Sequence, residues 1–309
     1  MLTQSQIDAF HRDGFLIMPG VIRGRELAAL QEASARVVAQ GIACQGEDHS
    51  YVPVGDQEVY WRSERLWDRD ATFRAVTLNP ELCENIGQCV GHDFFPWNDS
   101  LVVKTPGGGP VTWHQDPPYG FGGGRSETYV VPNFTTDLYL DDSTEENGCV
   151  WAIPGHHLVG SIDLASKSQD ELFAHPAAVP VRMKAGDVLF HALSTPHGSR
   201  ANPPAARMRR TFYIHYISQE AHDQAGYRPW SKMWWGEEKR AQMACFAADR
   251  AALGWLPAYG PHIRESEEGL RFTGAVTTPR RHWGDLLARI PQARREEMKA
   301  LKVLAAARG

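Results

Sequence analysis

Between about Ser100 and Ile217 the chain is cut into short β-branched or aromatic runs separated by Gly, Pro, Asn and Asp, and this punctuation restricts the fold more than any other feature. The runs are Leu101 to Lys104, Tyr129 to Val131, Phe134 to Leu140, Cys149 to Ile153, Val179 to Met183, Val188 to His191 and Arg209 to Ile217. Each is short for a helix and bounded by turn-forming residues, so the segment reads as many short strands, and hence as a sandwich or barrel. The flanks differ. Thr3 with Gln6 makes a capping box, Ile7, Phe10 and His11 share a helical face, and Gly14 stops that turn before a short strand, Phe15 to Met18. Leu27, Leu30, Ala33, Val37 and Val38 make Arg23 to Gln40 an amphipathic helix ended by Gly41. Towards the C-terminus the pattern returns to helix, most clearly over Glu237 to Ala252 and Pro291 to Ala307. No repeat or low-complexity linker interrupts the 309 residues. One domain is therefore expected: a helical N-terminal part over 1–99, a β core over about 100–218 and a helical C-terminal extension over 219–309.

The chain carries a net charge of −5, which argues against nucleic acid or an anionic membrane as a partner, since both need a basic face. Five scattered cysteines without a Cys-x-x-Cys pair indicate neither a disulfide framework nor a thiolate zinc site. A reducing, cytoplasmic setting is expected, with no apolar run long enough for a membrane span and no signal peptide. The sequence leaves the oligomeric state open.

The residues that carry chemistry are histidines and carboxylates at strand spacing. Side chains at i and i+2 of a strand point to the same side, so a His-x-Asp on a strand offers two ligands to one metal. Roughly one such triplet is expected by chance in a chain of this composition, and this one has two. His11-Arg12-Asp13 falls in the N-terminal helical pattern and is assigned to a solvated helix end. His114-Gln-Asp116 follows a glycine-rich turn and an extended Val-Thr-Trp run, which is the setting a two-histidine, one-carboxylate iron(II) site needs. The third ligand is expected at His197, after a turn, a strand and Pro196, with His191 as the structural competitor. An arginine of the cluster that runs into the strand Thr211 to Ile217 is suited to grip the far end of a dicarboxylate.

Residues 100 to 216 resemble the phytanoyl-CoA dioxygenase family, through Trp113-His-Gln-Asp116, Leu140-Asp-Asp-Ser-Thr-Glu-Glu-Asn-Gly-Cys149, Ile153-Pro-Gly-His-His157, Lys184-Ala-Gly-Asp187 and His197-Gly-Ser199. The opening Leu2-Thr-Gln-Ser-Gln with Asp13-Gly-Phe-Leu is similar to that family's N-terminus, while the last ninety or so residues are not covered. The resemblance implies a mainly β fold with flanking helices, a double-stranded β-helix (jelly roll, cupin-like). It also implies an Fe(II)- and 2-oxoglutarate-dependent dioxygenase that consumes O₂, with His114, Asp116 and His197 as iron ligands and Ser199 near the cosubstrate. The family's arginine stands six residues before a histidine on the same strand, which from His215 gives Arg209. Its distance from the distal histidine is one residue longer than the family's usual spacing, so Arg207 and Arg210 stay open. Strand parity puts Arg209, Thr211, Tyr213 and His215 on one face and favours Arg209 over Arg210. With an aspartate in the ligand set, hydroxylation, desaturation or ring formation is expected rather than halogenation.

Thr135, Asp137 and Tyr139 share one face of their strand, expected to be the barrel interior, with Leu138 and Leu140 towards the helices. Thr135 is expected beside the cosubstrate, and Asp137 and Tyr139, with Lys104, beside a small organic substrate, natural-product or amino-acid-derived. Where the family often has an aromatic residue this chain has Asp137, which either pairs with Lys104 or a nearby arginine or orients a polar substrate. Trp230, Trp234 and Trp235 are candidates for a pocket roof or for packing of a helix on the barrel. The alternative function is a cupin-like protein that binds metal and ligand without turnover; a zinc hydrolase with the same His, Asp, His set is a third reading, against which the cosubstrate arginine speaks.

Overall fold

The computed structural model describes residues 1–46, 48–116, 134–218, 237–257, 263–266, 269–272 and 283–302. Helix α1 (Gln4–Asp13) starts on the Thr3–Gln6 capping box and ends at Gly14, whose φ of 85° suits the residue without a Cβ. Strand β1 (Phe15–Met18) and helix α2 (Gly24–Ala43) follow. Contrary to expectation α2 does not stop at Gly41. A Cβ there would lie 2.4 Å from the Tyr60 ring, so the glycine is a seat for an aromatic side chain rather than a cap.

Next come β2 (His49–Val54), β3 (Gln57–Glu64), α3 (Ala71–Thr77), α4 (Pro80–Val90) and β4 (Phe94–Lys104). The part expected to be helical thus contributes a hairpin and most of a long strand. The β region continues with β5 (Val111–His114), β6 (Phe134–Tyr139), β7 (Val150–Ala152), a short α5 (Gln169–Phe173), β8 (Val179–Val181), β9 (Val188–Ala192), β10 (His197–Ser199) and β11 (Arg209–Ser218). The C-terminal part holds α6 (Glu237–Ala252), the hairpin β12 (Ile263–Ser266) with β13 (Gly269–Phe272), α7 (Trp283–Ala288) and α8 (Gln292–Lys299). The run Tyr129 to Val131 and the three tryptophans at 230, 234 and 235 lie outside the described residues, and the last helix, expected to reach Ala307, ends at Lys299 with Ala300 as its C-cap.

Two antiparallel sheets face each other, one in the order β1-β9-β6-β11-β4-β3-β2 and the other in the order β5-β10-β7-β8. With helices on the outer side of the larger sheet, this is the double-stranded β-helix. Period-two alternation splits the larger sheet into two faces. Leu101, Val103, Phe134, Leu138, Phe190, Phe212 and Ile214 join a helix-packed core with Phe10, Leu30, Phe73 and Leu82. The other face looks inward and is polar. Its register sets Arg209 opposite Lys104, Thr211 between Val102 and Tyr139, Tyr213 between Ser100 and Asp137, and His215 between Asn98 and Thr135.

His11 corrects another expectation: it is 2 % exposed, not solvated. Its ring is held by the Cys89 carbonyl at 2.9 Å and by the Trp283 indole N–H at 3.1 Å, because α1 is packed between α4 and α7. Among the described residues no helix is long and apolar enough to cross a membrane.

The Gly41 contact gives a stability test. Alanine normally gains roughly 0.5–1 kcal/mol over glycine inside a helix, but overpacking costs about 1–3 kcal/mol. Gly41→Ala is therefore expected to lower the urea midpoint, and a raised midpoint would show that the Tyr60 ring yields without cost.

Candidate metal centre

Strand β5 sends alternate side chains to opposite sides. Trp113 packs edge-on against Phe173, with ring centroids 5.3 Å apart, while His114 turns inward. The next outward residue, Gln115, fixes the end of the strand. Its amide donates to the carbonyls of Gly160 at 2.9 Å and Ser194 at 2.7 Å, and its oxygen accepts from Ile162 N at 2.9 Å. Asp116 then follows His114 to the inner side, its own N–H on the Leu193 carbonyl at 2.8 Å.

His197 opens β10 directly opposite His114 in the ladder, and the two rings lie 4.2 Å apart. This approach depends on Gly198, where a Cβ would stand 3.0 Å from the Trp113 backbone. One ligand atom from each of His114, Asp116 and His197, a ring nitrogen or a carboxylate oxygen, lies within 4.8 Å of the others, a separation one cation can bridge. Both imidazoles are oriented from behind. His114 Nδ1 donates to the Thr112 carbonyl and His197 Nδ1 to the Thr195 carbonyl, each at 2.9 Å. That fixes Nδ1 of each ring as a donor and turns Nε2 towards the other ligands, with His114 Nε2 3.6 Å from Asp116 Oδ1. Burial pulls the His197 imidazole down to about 3, so it stays neutral. Burial alone would raise the Asp116 carboxyl, but the His114 hydrogen bond and the His197 and His191 imidazoles hold it well below the usual range.

A cavity of about 90 Å³ runs from these three residues to Ser199 and Arg209. Arg209 is 2 % exposed. Its guanidinium donates to Thr211 Oγ1 at 3.0 Å and to the Gly148 carbonyl at 3.2 Å, and its Nε has no partner among the described residues. No carboxylate of the described residues pairs with it. The other two arginines differ: Arg207 is exposed, and Arg210 faces outward onto Asp141 at 2.8 and 2.7 Å.

The phytanoyl-CoA dioxygenase (PhyH) family profile matches residues 10–211, about two thirds of the chain. The chain belongs to the PhyH family of Fe(II)/2-oxoglutarate-dependent oxygenases. It is 26% identical over 219 residues to the methylphosphonate hydroxylase of Gimesia maris, covering 70% of this chain and 80% of that one. It is 33% identical over 150 residues to phytanoyl-CoA dioxygenase 1 of Oryza sativa subsp. japonica, covering 45% of this chain and 48% of that one. Among solved structures, AviO1 from Streptomyces viridochromogenes aligns with a TM-score of 0.59 at 27% identity, covering 71% of this chain and 97% of its own. EctD from S. alaskensis, solved with 2-oxoglutarate and 5-hydroxyectoine, shares the fold with a TM-score of 0.60 at 19% identity, covering 77% of this chain and 86% of its own.

The remaining expected residues of this PhyH-family site fall in different places. Ser199 is buried on β10 and lines the cavity. Thr135 is buried, its hydroxyl on the Ile214 carbonyl at 3.3 Å. Tyr139 lies near Arg209, with the guanidinium 5.8 Å from its ring centre, and its hydroxyl is buried without a partner among the described residues. Lys104 is 3 % exposed and donates to the carbonyls of Gly109 at 2.7 Å and Arg200 at 3.0 Å; burial and Arg209 bring its amine down to about 7. Asp137 does pair inside the barrel, but with neither Lys104 nor an arginine. Its Oδ1 sits 3.3 Å from His191 Nε2, with both side chains 3 % exposed or less. This is an ion-pair contact rather than an aligned hydrogen bond, since neither atom has an aligned partner. Despite burial, Asp137 and then Asp116 raise the His191 imidazole to about 9, and its ring meets that of His197 edge-on at 4.9 Å.

Trp61, Arg62, Ser100, Tyr213 and His215 also line the cavity. Strand parity from Arg209 reaches Tyr213 and His215. Trp61 and Arg62 come from the hairpin that the sequence reading passed over.

Removing one partner of a buried pair costs about 3–5 kcal/mol, whereas replacing both with apolar residues is often neutral. Asp137→Ala is expected to destabilise by that amount, and the double variant Asp137→Leu/His191→Leu to recover most of it, both read by chemical denaturation. Equal loss in the single and double variants would rule out the pair as the cause.

Proposed function

We propose that the protein is a 2-oxoglutarate-dependent dioxygenase that holds iron(II) on His114, Asp116 and His197 and oxidises a small organic substrate, natural-product or amino-acid-derived. The donor set fits the ion. Two imidazoles, each with Nδ1 tied to a backbone carbonyl, and one ionised carboxylate converge on one point and line the cavity, as a facial two-histidine, one-carboxylate site requires. The observation that carries the cosubstrate is Arg209, a buried guanidinium with no acidic partner among the described residues, in the same cavity as the three ligands. Such a group is costly unless a carboxylate joins it, and the distal carboxylate of 2-oxoglutarate supplies one by bidentate contact. Ser199 on the cavity wall and the unpaired Tyr139 hydroxyl near Arg209 support a role for both at that end of the cosubstrate. This reading moves Tyr139 from the substrate to the cosubstrate and leaves Thr135 as a bond between strands.

When bound, iron(II) with 2-oxoglutarate supplies the oxidising chemistry, in which O₂ is consumed, the cosubstrate becomes succinate and CO₂, and the second oxygen atom is available to the substrate. The protein's own residues do the positioning. Thr112 and Thr195 carbonyls hold the imidazoles, Gln115 anchors the turn that presents Asp116, and Gly148, whose Cβ would meet the Arg200 carbonyl at 2.8 Å, brings its own carbonyl up to Arg209. Asp137, paired with His191, acts on the placement of His197 under this reading. The small-molecule ligands of the solved relatives support a small-molecule substrate here as well.

His114→Ala, Asp116→Ala and His197→Ala are each expected to abolish succinate formation from 2-oxoglutarate under air while leaving the circular dichroism melt close to wild type. A wild-type protein that binds iron and 2-oxoglutarate yet forms no succinate with any candidate substrate would support a non-catalytic binding protein instead. For the cosubstrate, loss of a buried pairing worth about 3–5 kcal/mol corresponds to roughly a hundredfold or more in affinity. Arg209→Ala should show that loss in 2-oxoglutarate titrations, whereas Arg210→Ala should leave affinity unchanged and lower only stability. The reverse pattern would mean that the wrong arginine has been assigned.

A further inference from the structure

A second cavity, of about 210 Å³, lies against the first and shares Trp61, Val102 and Val111 with it as common walls. Its other walls are mainly aliphatic, chiefly Val52 and Val59 of the β2–β3 hairpin, over a floor at Gly109 and Pro110. The shared wall has a specific backbone origin. In the hairpin Tyr51 faces Tyr60 and Ser50 faces Arg62, so Trp61 is the extra residue of a β-bulge. Tyr60 points outward onto α2 at Gly41, and Arg62 sits beside Val102 on the inner face. Without the bulge, alternation would send either Trp61 or Arg62 to the helix side. With it both reach the interior, and the indole stands between the two spaces.

The chemistry of the walls selects what they hold. An apolar cavity of roughly 150 Å³ is enough for a benzene-sized guest, and each Å² of apolar surface removed from water contributes about 25 cal/mol. The cavity is partly open, with exposed Pro110 and Thr112 at its edge, and Lys104, its one charged wall, already donates to two backbone carbonyls and so does not call for an anionic ligand. We propose that this second cavity is the subsite for a compact, neutral apolar group of the primary substrate, the size of a hydrocarbon ring or branched chain. Trp61 is its inner wall, and the carbon to be oxidised lies on the metal side of that indole. The inference rests on the metal reading above. It makes Trp61, Val59 and Val52 specificity-determining, with the cosubstrate on the Arg209 side.

Toluene is a suitable probe, and Mn(II) in place of iron reports proximity through proton relaxation. With the full chain loaded with Mn(II) and 2-oxoglutarate, faster relaxation of toluene protons is expected. Val52→Phe and Val59→Phe, which fill the cavity from the two strands of a hairpin that carries no proposed metal ligand, should each weaken that effect at least tenfold. The Mn(II) effect on water protons and the 2-oxoglutarate titration should stay as in wild type, with folding checked by thermal melts. Toluene that the metal does not relax in the wild type overturns the proposal. So does relaxation equal in wild type and both filled variants, or displacement of toluene by 2-oxoglutarate. If Mn(II) fails to bind, as read from the water signal, the metal reading falls and the subsite with it.

Discussion

A slip of one residue in β11 would turn Arg209, Thr211, Tyr213 and His215 into the helix-packed core and bring Phe212 and Ile214 into the cavity. The strand is held against that slip on both sides, by β4 over its full length and by β6 from Thr211 to Tyr216. Because the side-chain period of a strand is two, register alone decides which set is buried in which environment. The two environments are chemically opposite. On the outer side Phe73 and Phe212 pack with centroids 4.9 Å apart, and on the inner side lies the Arg209 guanidinium, without an acidic partner among the described residues. The apolar layer thus fixes the position of the polar one.

The smaller sheet adds the candidate metal ligands under a different constraint, closeness. His114 and His197 meet because β5 and β10 are adjacent and because position 198 has no side chain to hold them apart. Once adjacent, the two imidazoles are oriented by backbone carbonyls, and the Asp116 carboxylate lies against His114. Burying Asp116 is costly in itself, and the surrounding imidazoles offset that cost electrostatically. The same interior holds further charge in Asp137 with His191 and in Lys104 on its two carbonyls, each matched by protein groups. Arg209 is the exception among the described residues, and that asymmetry is what marks it as the candidate for the cosubstrate.

Much of this was legible in the chain itself. The Thr3–Gln6 cap, the amphipathic stripe of α2, the alternation of β6 and β11, and the His114-Gln-Asp116 triplet after a glycine-rich turn are all local patterns, set by residues within one or two turns or strands of each other. The family motifs extended that reading to His197 and Arg209, which lie far along the sequence yet fall in the same cavity as His114 and Asp116. Trp113 and Gln115, the outward residues of the same segment, were quoted only as part of a motif, although they anchor the chain on either side of His114.

What stayed hidden depended on neighbours distant in sequence. Gly41 reads as a helix stop until the ring of Tyr60 is placed on it, and His11 reads as solvated until α4 and α7 close over α1. Trp61 and Arg62 enter the interior together only because the hairpin bulges, a feature of pairing that has no mark in the strand's own residues. Asp137 meets His191 because β6 and β9 are paired in one register, 54 residues apart along the chain. Local pattern fixes which way a side chain points within its own element, since backbone geometry repeats over a few residues. Its partner is fixed by the packing of elements, since contact energies between distant segments exist only once the sheets have formed.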